Sequence, residues 1–223
     1  GFNVNGKLNL IKNVPSMMGF DLKKYLLKFS QNIAVENDAN CFALAEYRLG
    51  AGKNANNVLG IIIGTGLGCG IVADGKIIRG KSGGAGELGH TVIVPNGEKC
   101  TCGGYGHFES YCSGTGITRR YIKAGGKIKD PHPGNIFSSK ETIAHKIAKE
   151  TIEYFGIGLA NIINILNPDM VVLGGGVSNI DFYGQIRKSV KKYARPTHFN
   201  DAKIVKNKLG DSSGVIGAAS LVL

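Results

Sequence analysis

Asp38 sits in the run Glu36-Asn37-Asp38-Ala39-Asn40, where a strand is expected to end and a helical pattern begins. A carboxylate there can act as a general base on an attacking hydroxyl, and ligands of open α/β sheets gather at the carboxyl ends of strands. The same position favours Asp as a helix cap, worth about 1 kcal/mol. Residue type alone leaves both roles open for Asp38. Asn37 is open in the same way, as an amide for a polar ligand or as a cap. Gly64-Thr65-Gly66-Leu67-Gly68 offers a second chemistry. Glycine lets backbone N–H groups come close to phosphate oxygens, and the Thr hydroxyl adds a donor. No Gly-Lys-Ser/Thr follows, so this is not a P-loop, and glycine-rich hairpin turns also arise for steric reasons. Gly174-Gly175-Gly176 reads either as a tight turn after a buried strand or as a flat backbone surface for a nucleotide.

Glu87-Leu88-Gly89-His90 places an acid and an imidazole in a glycine-flanked loop, and Cys100-Thr-Cys102-Gly-Gly-Tyr-Gly-His107-Phe-Glu109 follows. His90, Cys100, Cys102 and His107 make a Cys₂His₂ set suited to tetrahedral Zn²⁺, and four protein ligands would make the site structural rather than catalytic. The Cys-x-Cys spacing is tighter than the usual zinc spacing, and unrelated surface thiols and imidazoles are the alternative. Cys41 and Cys69 sit in apolar patterns and read as small core residues. His132, His145 and His198 have no evident partners in the sequence and read as structural or solvent-facing.

Composition bounds these readings. The chain has 223 residues with 43% hydrophobic and 19% charged, a globular balance that argues against disorder. That length suits one large domain or two small ones without a disulfide scaffold. No apolar run reaches the length of a membrane span, and no signal-peptide pattern opens the chain. Five cysteines suit a reducing, cytoplasmic setting better than a secreted one. The net charge of +11 is scattered. Its densest group, Arg187, Lys188, Lys191 and Lys192, has helical spacing and reads as a solvated face. No membrane or nucleic-acid partner is expected. The chain opens at Gly1 without a Met, and an upstream portion is expected.

The positioning elements alternate between strand and helix. The patterns predict strands over 6–13, 32–35, 58–63, 67–73, 170–173 and 203–206. They predict helices over 21–29, 38–49, 139–166, 182–194 and 213–222, with another beginning at Ser113. The 58–63 and 67–73 strands form a hairpin around Gly64-Thr65-Gly66, and Asp74-Gly75 marks a further turn. Ser138 and Glu141 are spaced as a capping box for the long helix, whose apolar positions are Ile143, Ile147, Thr151, Tyr154, Gly158, Ile162 and Leu166. The result is one α/β domain without linker, repeat or low-complexity tract.

Taken in order, Glu36–Asn40, Gly64–Gly68, Gly84-Ala85-Gly86-Glu87-Leu88-Gly89-His90, Cys100–Glu109 and Leu173-Gly174-Gly175-Gly176-Val177 resemble the ROK family of sugar kinases and sugar-responsive repressors along nearly the whole chain. The resemblance implies an actin–hexokinase-like (ribonuclease H-like) α/β fold, a mixed sheet with flanking helices. It implies phosphorylation of a hexose or N-acetylhexosamine by ATP with Mg²⁺, with a structural Zn²⁺ and a homodimer. By that likeness Asp38 is the base on the sugar hydroxyl, and Asn37, Glu87, His90 and Glu109 hold the sugar. Gly64, Thr65 and Gly66 meet the ATP phosphates, and Gly175 and Gly176 face the adenosine. His90 gives one ring nitrogen to zinc beside Cys100, Cys102 and His107, and the other to sugar. His107 stands where many members have a third Cys. The family's Asp-x-Gly-x-Thr phosphate turn is not found in this sequence. Residues 1–223 are therefore expected to be the large C-terminal lobe of a longer kinase, with a zinc-bearing loop near 87–110 and little activity alone. The alternative is a ROK-type repressor whose DNA-binding part lies upstream.

Overall fold

The computed structural model describes residues 6–8 and 15–222. The strand expected over 6–13 falls mostly outside them; within them, Lys7 makes an isolated antiparallel bridge to Asp21. Asp21 caps α1 (Leu22–Leu26) by accepting from Lys24 N at 2.9 Å. The chain continues through α2 (Asp38–Arg48), β1 (Val58–Ile63), β2 (Leu67–Ala73) and β3 (Lys76–Ile77). Next come α3 (Glu109–Cys112), α4 (Gly114–Lys123), α5 (Pro133–Ser138) and α6 (Thr142–Leu166). The chain closes with β4 (Met170–Gly174), α7 (Tyr183–Tyr193), α8 (Pro196–Asp201), β5 (Lys203–Lys206) and α9 (Ser213–Ser220).

The five strands form one mixed sheet in the order β3-β2-β1-β4-β5. β1 is antiparallel to β2, from Val58↔Val72 to Ile63↔Leu67, and parallel to β4, from Val58↔Met170 to Ile62↔Gly174. Successive side chains of a strand point to opposite faces, and the two faces differ here. On one face Leu59, Ile61, Ile63, Val171, Leu173 and Ile204 join Phe108, Phe155, Leu159 and Ile163 in the main core. On the other, Val58, Val72 and Val172 meet Phe42 and Ala43 of α2. Glycines let α2 lie almost on the backbone of that second face. A Cβ on Gly60 would stand 2.6 Å from Ala43 Cα, and one on Gly70 would stand 2.3 Å from Ala39 O. Ala39, one residue after Asp38, therefore rests beside the end of β2 that adjoins the Gly64–Gly66 turn. The parallel β4 delivers Gly174–Gly176 to the same end of the sheet.

Four local expectations need correction. Residues 32–35 form no strand, and none of the five strands of the sheet pairs with them. Ser138 does not cap the long helix; it is the last residue of α5. α6 begins at Thr142 after Glu141, whose N–H donates to Ser139 Oγ at 3.1 Å. The buried stripe of α6 runs through Ile147, Thr151, Phe155, Gly158, Leu159 and Ile163, whereas Leu166 is exposed.

Candidate functional site

α2 begins with a division of labour between neighbours. Asn37 is the cap, its Oδ1 accepting from Ala39 N at 2.9 Å and Asn40 N at 3.4 Å. Asp38 is exposed, and its Oδ1 accepts from Ala39 N at 2.9 Å. The capping role is thus filled by Asn37, and the carboxylate of Asp38 remains at the helix mouth. The surroundings are acidic enough to act on a nearby thiol. Burial, then the Glu36 and Asp38 carboxylates, push Cys41 up to about 11 against the opposing Arg79.

The Gly64-Thr65-Gly66 turn is tied to the start of α4. Gly114 N donates to Gly64 O at 2.7 Å, and Ser113 caps α4 by accepting from Gly116 N at 3.0 Å. A helix N-terminus carries partial positive charge, so this turn and this helix start face the same space. A cavity of about 1630 Å³ opens there, lined by Gly64, Thr65, Thr115, Arg119 and Gly176 among others. Gly66 and Gly175 do not line it. Gly175 instead takes a left-handed φ of +81°, and a Cβ there would stand 2.6 Å from Ile63 O, so it shapes the turn that presents Gly176. The cavity continues between α4, α5 and α6 to His132, His145 and Lys149. Arg119 is the residue that pattern reading passed over: its Nε and Nη2 are enclosed without a hydrogen-bond partner. Its (i, i+4) spacing from Thr115 on a helix that starts at the turn was the available signal.

The Cys/His set does converge. One ligand atom from each of His90, Cys100, Cys102 and His107 lies within 4.8 Å of the others. Cys100 Sγ is 3.6 Å from His90 Nδ1, and Cys102 Sγ is 3.2 Å from His107 Nδ1. Tetrahedral zinc, with bonds of about 2.0–2.3 Å, would separate its ligands by roughly 3.3–3.8 Å. The donors therefore fit the ion in number and type, and the two Cys–His contacts come close to its spacing. Backbone bonds hold the loop: Cys100 N donates to Gly104 O at 2.8 Å, and bridges join Val92 to His107 and Lys99 to Tyr105. Burial pushes the Cys100 thiol up, but hydrogen bonds from the Cys102 backbone and from His107, Cys102 and His90 outweigh it and hold the thiol down at about 6. Burial holds the thiols of Cys69 and Cys112 up, Cys69 at about 12.

His90 points its two ring nitrogens different ways. Nδ1 faces Cys100, and Nε2 lies 3.7 Å from Oε2 of the exposed Glu87. Glu109 links two parts of the site: Oε2 accepts from Leu67 N at 2.9 Å, beside the glycine turn, and Oε1 is 4.0 Å from Cys100 Sγ. Asp38, Asn37, Glu87, His90 and Glu109 all lie outside the lining of the large cavity. Glu87 and His90 lie together, Glu109 reaches from the metal cluster to Leu67, and Gly64 and Thr65 just before it line the cavity.

The profile of the ROK family matches residues 3–223. An N-acetyl-D-glucosamine kinase of Vibrio cholerae is 39% identical over 227 residues, which are 95% of this chain and 74% of that protein. A ROK family glucokinase from Streptomyces griseus, solved in complex with glucose and AMPPNP, is 30% identical. It superposes with a TM-score of 0.82 over 98% of this chain and 77% of that one. A ROK family transcriptional regulator is 27% identical, with a TM-score of 0.84 over 99% of this chain and 60% of that one. The chain spans about three quarters of the length of the two kinases.

Proposed function

We propose a function from one premise: the chain belongs to the ROK family, with the actin–hexokinase fold of its sugar kinases. It is a sugar kinase that transfers phosphate from ATP to a hydroxyl of a hexose or N-acetylhexosamine. The observation that carries this reading is that Gly64, Thr65 and Gly176 line one cavity at the end of the sheet where the first turn of α2, which begins at Asp38, rests on β2. The sugar hydroxyl attacks the γ-phosphorus, the bond to the β,γ-bridging oxygen breaks, ADP leaves, and Asp38 accepts the hydroxyl proton. Asn37, Glu87, His90 and Glu109 hold the other sugar hydroxyls. Gly64 and Thr65, in the turn that Gly66 closes, meet the phosphates, whose charge Mg²⁺ would balance, and Gly176, presented by the Gly175 turn, forms the adenosine surface. Arg119 adds an unpartnered guanidinium to that cavity.

His90, Cys100, Cys102 and His107 would hold zinc as a closed structural centre that fixes the sugar loop. The chain is read as the large lobe of a kinase that works as a cytoplasmic homodimer. The test uses the full-length protein with Mg·ATP and a panel of glucose, N-acetylglucosamine, N-acetylmannosamine and fructose. Asp38→Ala should lower turnover at least about 100-fold while sugar affinity stays nearly unchanged. Turnover within about tenfold of the parent would remove Asp38 as the base. Elemental analysis should find about one zinc per chain, lost in Cys100→Ser.

The likeness to the transcriptional regulator favours a second reading, a sugar-sensing half of a repressor. A helix-turn-helix upstream of Gly1 would support the repressor, and an Asp-x-Gly-x-Thr turn there without one would support the kinase.

A further inference from the structure

Glu36 precedes the candidate base by two residues and has no assigned role, yet its side chain is only 8% exposed. A carboxylate so enclosed needs donors, and it has three from three directions. Oε1 accepts from Asn37 N at 2.9 Å and from Asn40 Nδ2 at 2.9 Å. Oε2 accepts from Arg79 Nε at 2.6 Å, across 43 residues of sequence. The first bond fixes the peptide that leads into Asp38, and the second fixes the first turn of α2. The third reaches the loop that carries Glu87 and His90.

Arg79 is the other half of this arrangement. It follows β3 and opens the glycine-rich segment 80–89. Its carbonyl accepts from Ala85 N at 3.0 Å, which folds that segment back on itself. Gly80, Gly83 and Gly86 all have positive φ, so the segment bends three times within seven residues. Glycine carries no side chain to pack, and among the described residues Leu88 is the one core side chain of the segment, so residues 80–85 ahead of it need another tie. Up to Ala85 the backbone bond and the ion pair both run through Arg79, and beyond it Leu88 N donates to Gly86 O at 2.6 Å. An ion pair with one enclosed partner and charge-assisted geometry outweighs an open surface pair.

We propose that Glu36 and Arg79 form a latch that holds the Glu87–His90 loop in register with Asp38, making both positioning residues for phosphoryl transfer. This rests on the kinase reading above. Displacing a reacting group by about 1 Å can cost around 100-fold in rate, so a latch that touches no reacting atom can still govern turnover. It touches neither the nucleotide cavity nor the four metal-site side chains.

The test uses the full-length protein as Arg79→Ala, Arg79→Lys, Glu36→Gln and the double variant Glu36→Gln/Arg79→Ala. Steady-state kinetics are run for sugar and for ATP, with zinc content and melting temperature alongside. Arg79→Ala should lower kcat about 10- to 100-fold, raise KM for sugar, and leave KM for ATP and zinc content unchanged. Arg79→Lys should recover part of kcat, since it restores charge without the directed Nε bond. The double variant should be no slower than the worse single variant, as expected for two groups acting as one. Equal losses in both KM values, or multiplied losses in the double variant, would overturn the latch. So would an unchanged kcat in Arg79→Ala. In each of those cases a parent that phosphorylates sugar leaves the kinase reading standing. A parent that neither binds sugar nor phosphorylates it would instead overturn the kinase reading, and the latch with it.

Discussion

The two faces of the sheet are built for different ends. Towards α6 the strands present Leu59, Ile61, Ile63, Val171 and Leu173 to a thick apolar layer that includes Phe155, Leu159 and Ile163. Each large side chain buried there stabilises the fold by about 1.5–3 kcal/mol. Towards α2 the strands present Gly60, Gly68, Gly70 and Gly174, and α2 answers with Ala39 and Ala43. The apolar cluster on that side is smaller, built on Phe42, Val58, Val72 and Val172. What it achieves is proximity: the helix rests on the sheet backbone, and its first turn is set beside the glycine turns at the strand ends. One face holds the larger core, and the other sets the distance between the start of α2 and the strand ends.

That contrast can be broken from either side. The largest effect is expected at Gly70, where a side chain would run into the backbone of Ala39. Gly70→Val should push α2 off the sheet and lower kcat at least about 100-fold; a kcat within threefold of the parent would show that the distance is not critical. Phe155→Ala, on the other face, should cost about 3–5 kcal/mol in urea unfolding. Its kcat per folded molecule should stay within about twofold, and a loss like that of Gly70→Val would erase the distinction.

Metal removal sharpens the comparison at the sugar side. Chelation should raise KM for sugar about 10- to 100-fold and spare KM for ATP. A thiol reagent should then modify the exposed Cys102, while Cys41, Cys69 and Cys112 stay protected by burial. A similar rise in both KM values would show that the loop supports the whole lobe rather than one substrate.

The smallest effect belongs to Glu153, whose carboxyl is held down by Tyr193 first and then Lys192. A lowered folded pKa gives stability that is present above 4.5 and lost as pH falls through the lowered value. At this partly exposed pair it is at most about 1 kcal/mol after solvent screening. Urea midpoints of Glu153→Gln and the parent, compared at pH 7 and pH 3, should converge at the lower pH.

Much of this was legible because the periods were clean. β1, β2 and β5 fall where their apolar runs place them, and Ser113 caps α4 as its residue type suggests. The misses have physical causes. α5 and α8 went unseen because Pro133 and Pro196 look like breakers, yet proline's fixed φ suits the first helical turn, where its missing N–H costs nothing. Asn37 and Asp38 are both good caps by type, and only the fold decides between them. The pairings of Glu36 with Arg79 and of Glu109 with Leu67 span 43 and 42 residues. No local period encodes contacts that distant.

The most direct measurement is a structure of the full-length protein with hexose and a non-hydrolysable ATP analogue. The account predicts an Asp38 carboxylate oxygen within about 2.6–3.2 Å of the hydroxyl that receives phosphate, with the γ-phosphate at the Thr65 turn. A carboxylate facing away from the sugar, bonded only to the backbone of its own helix, would contradict it.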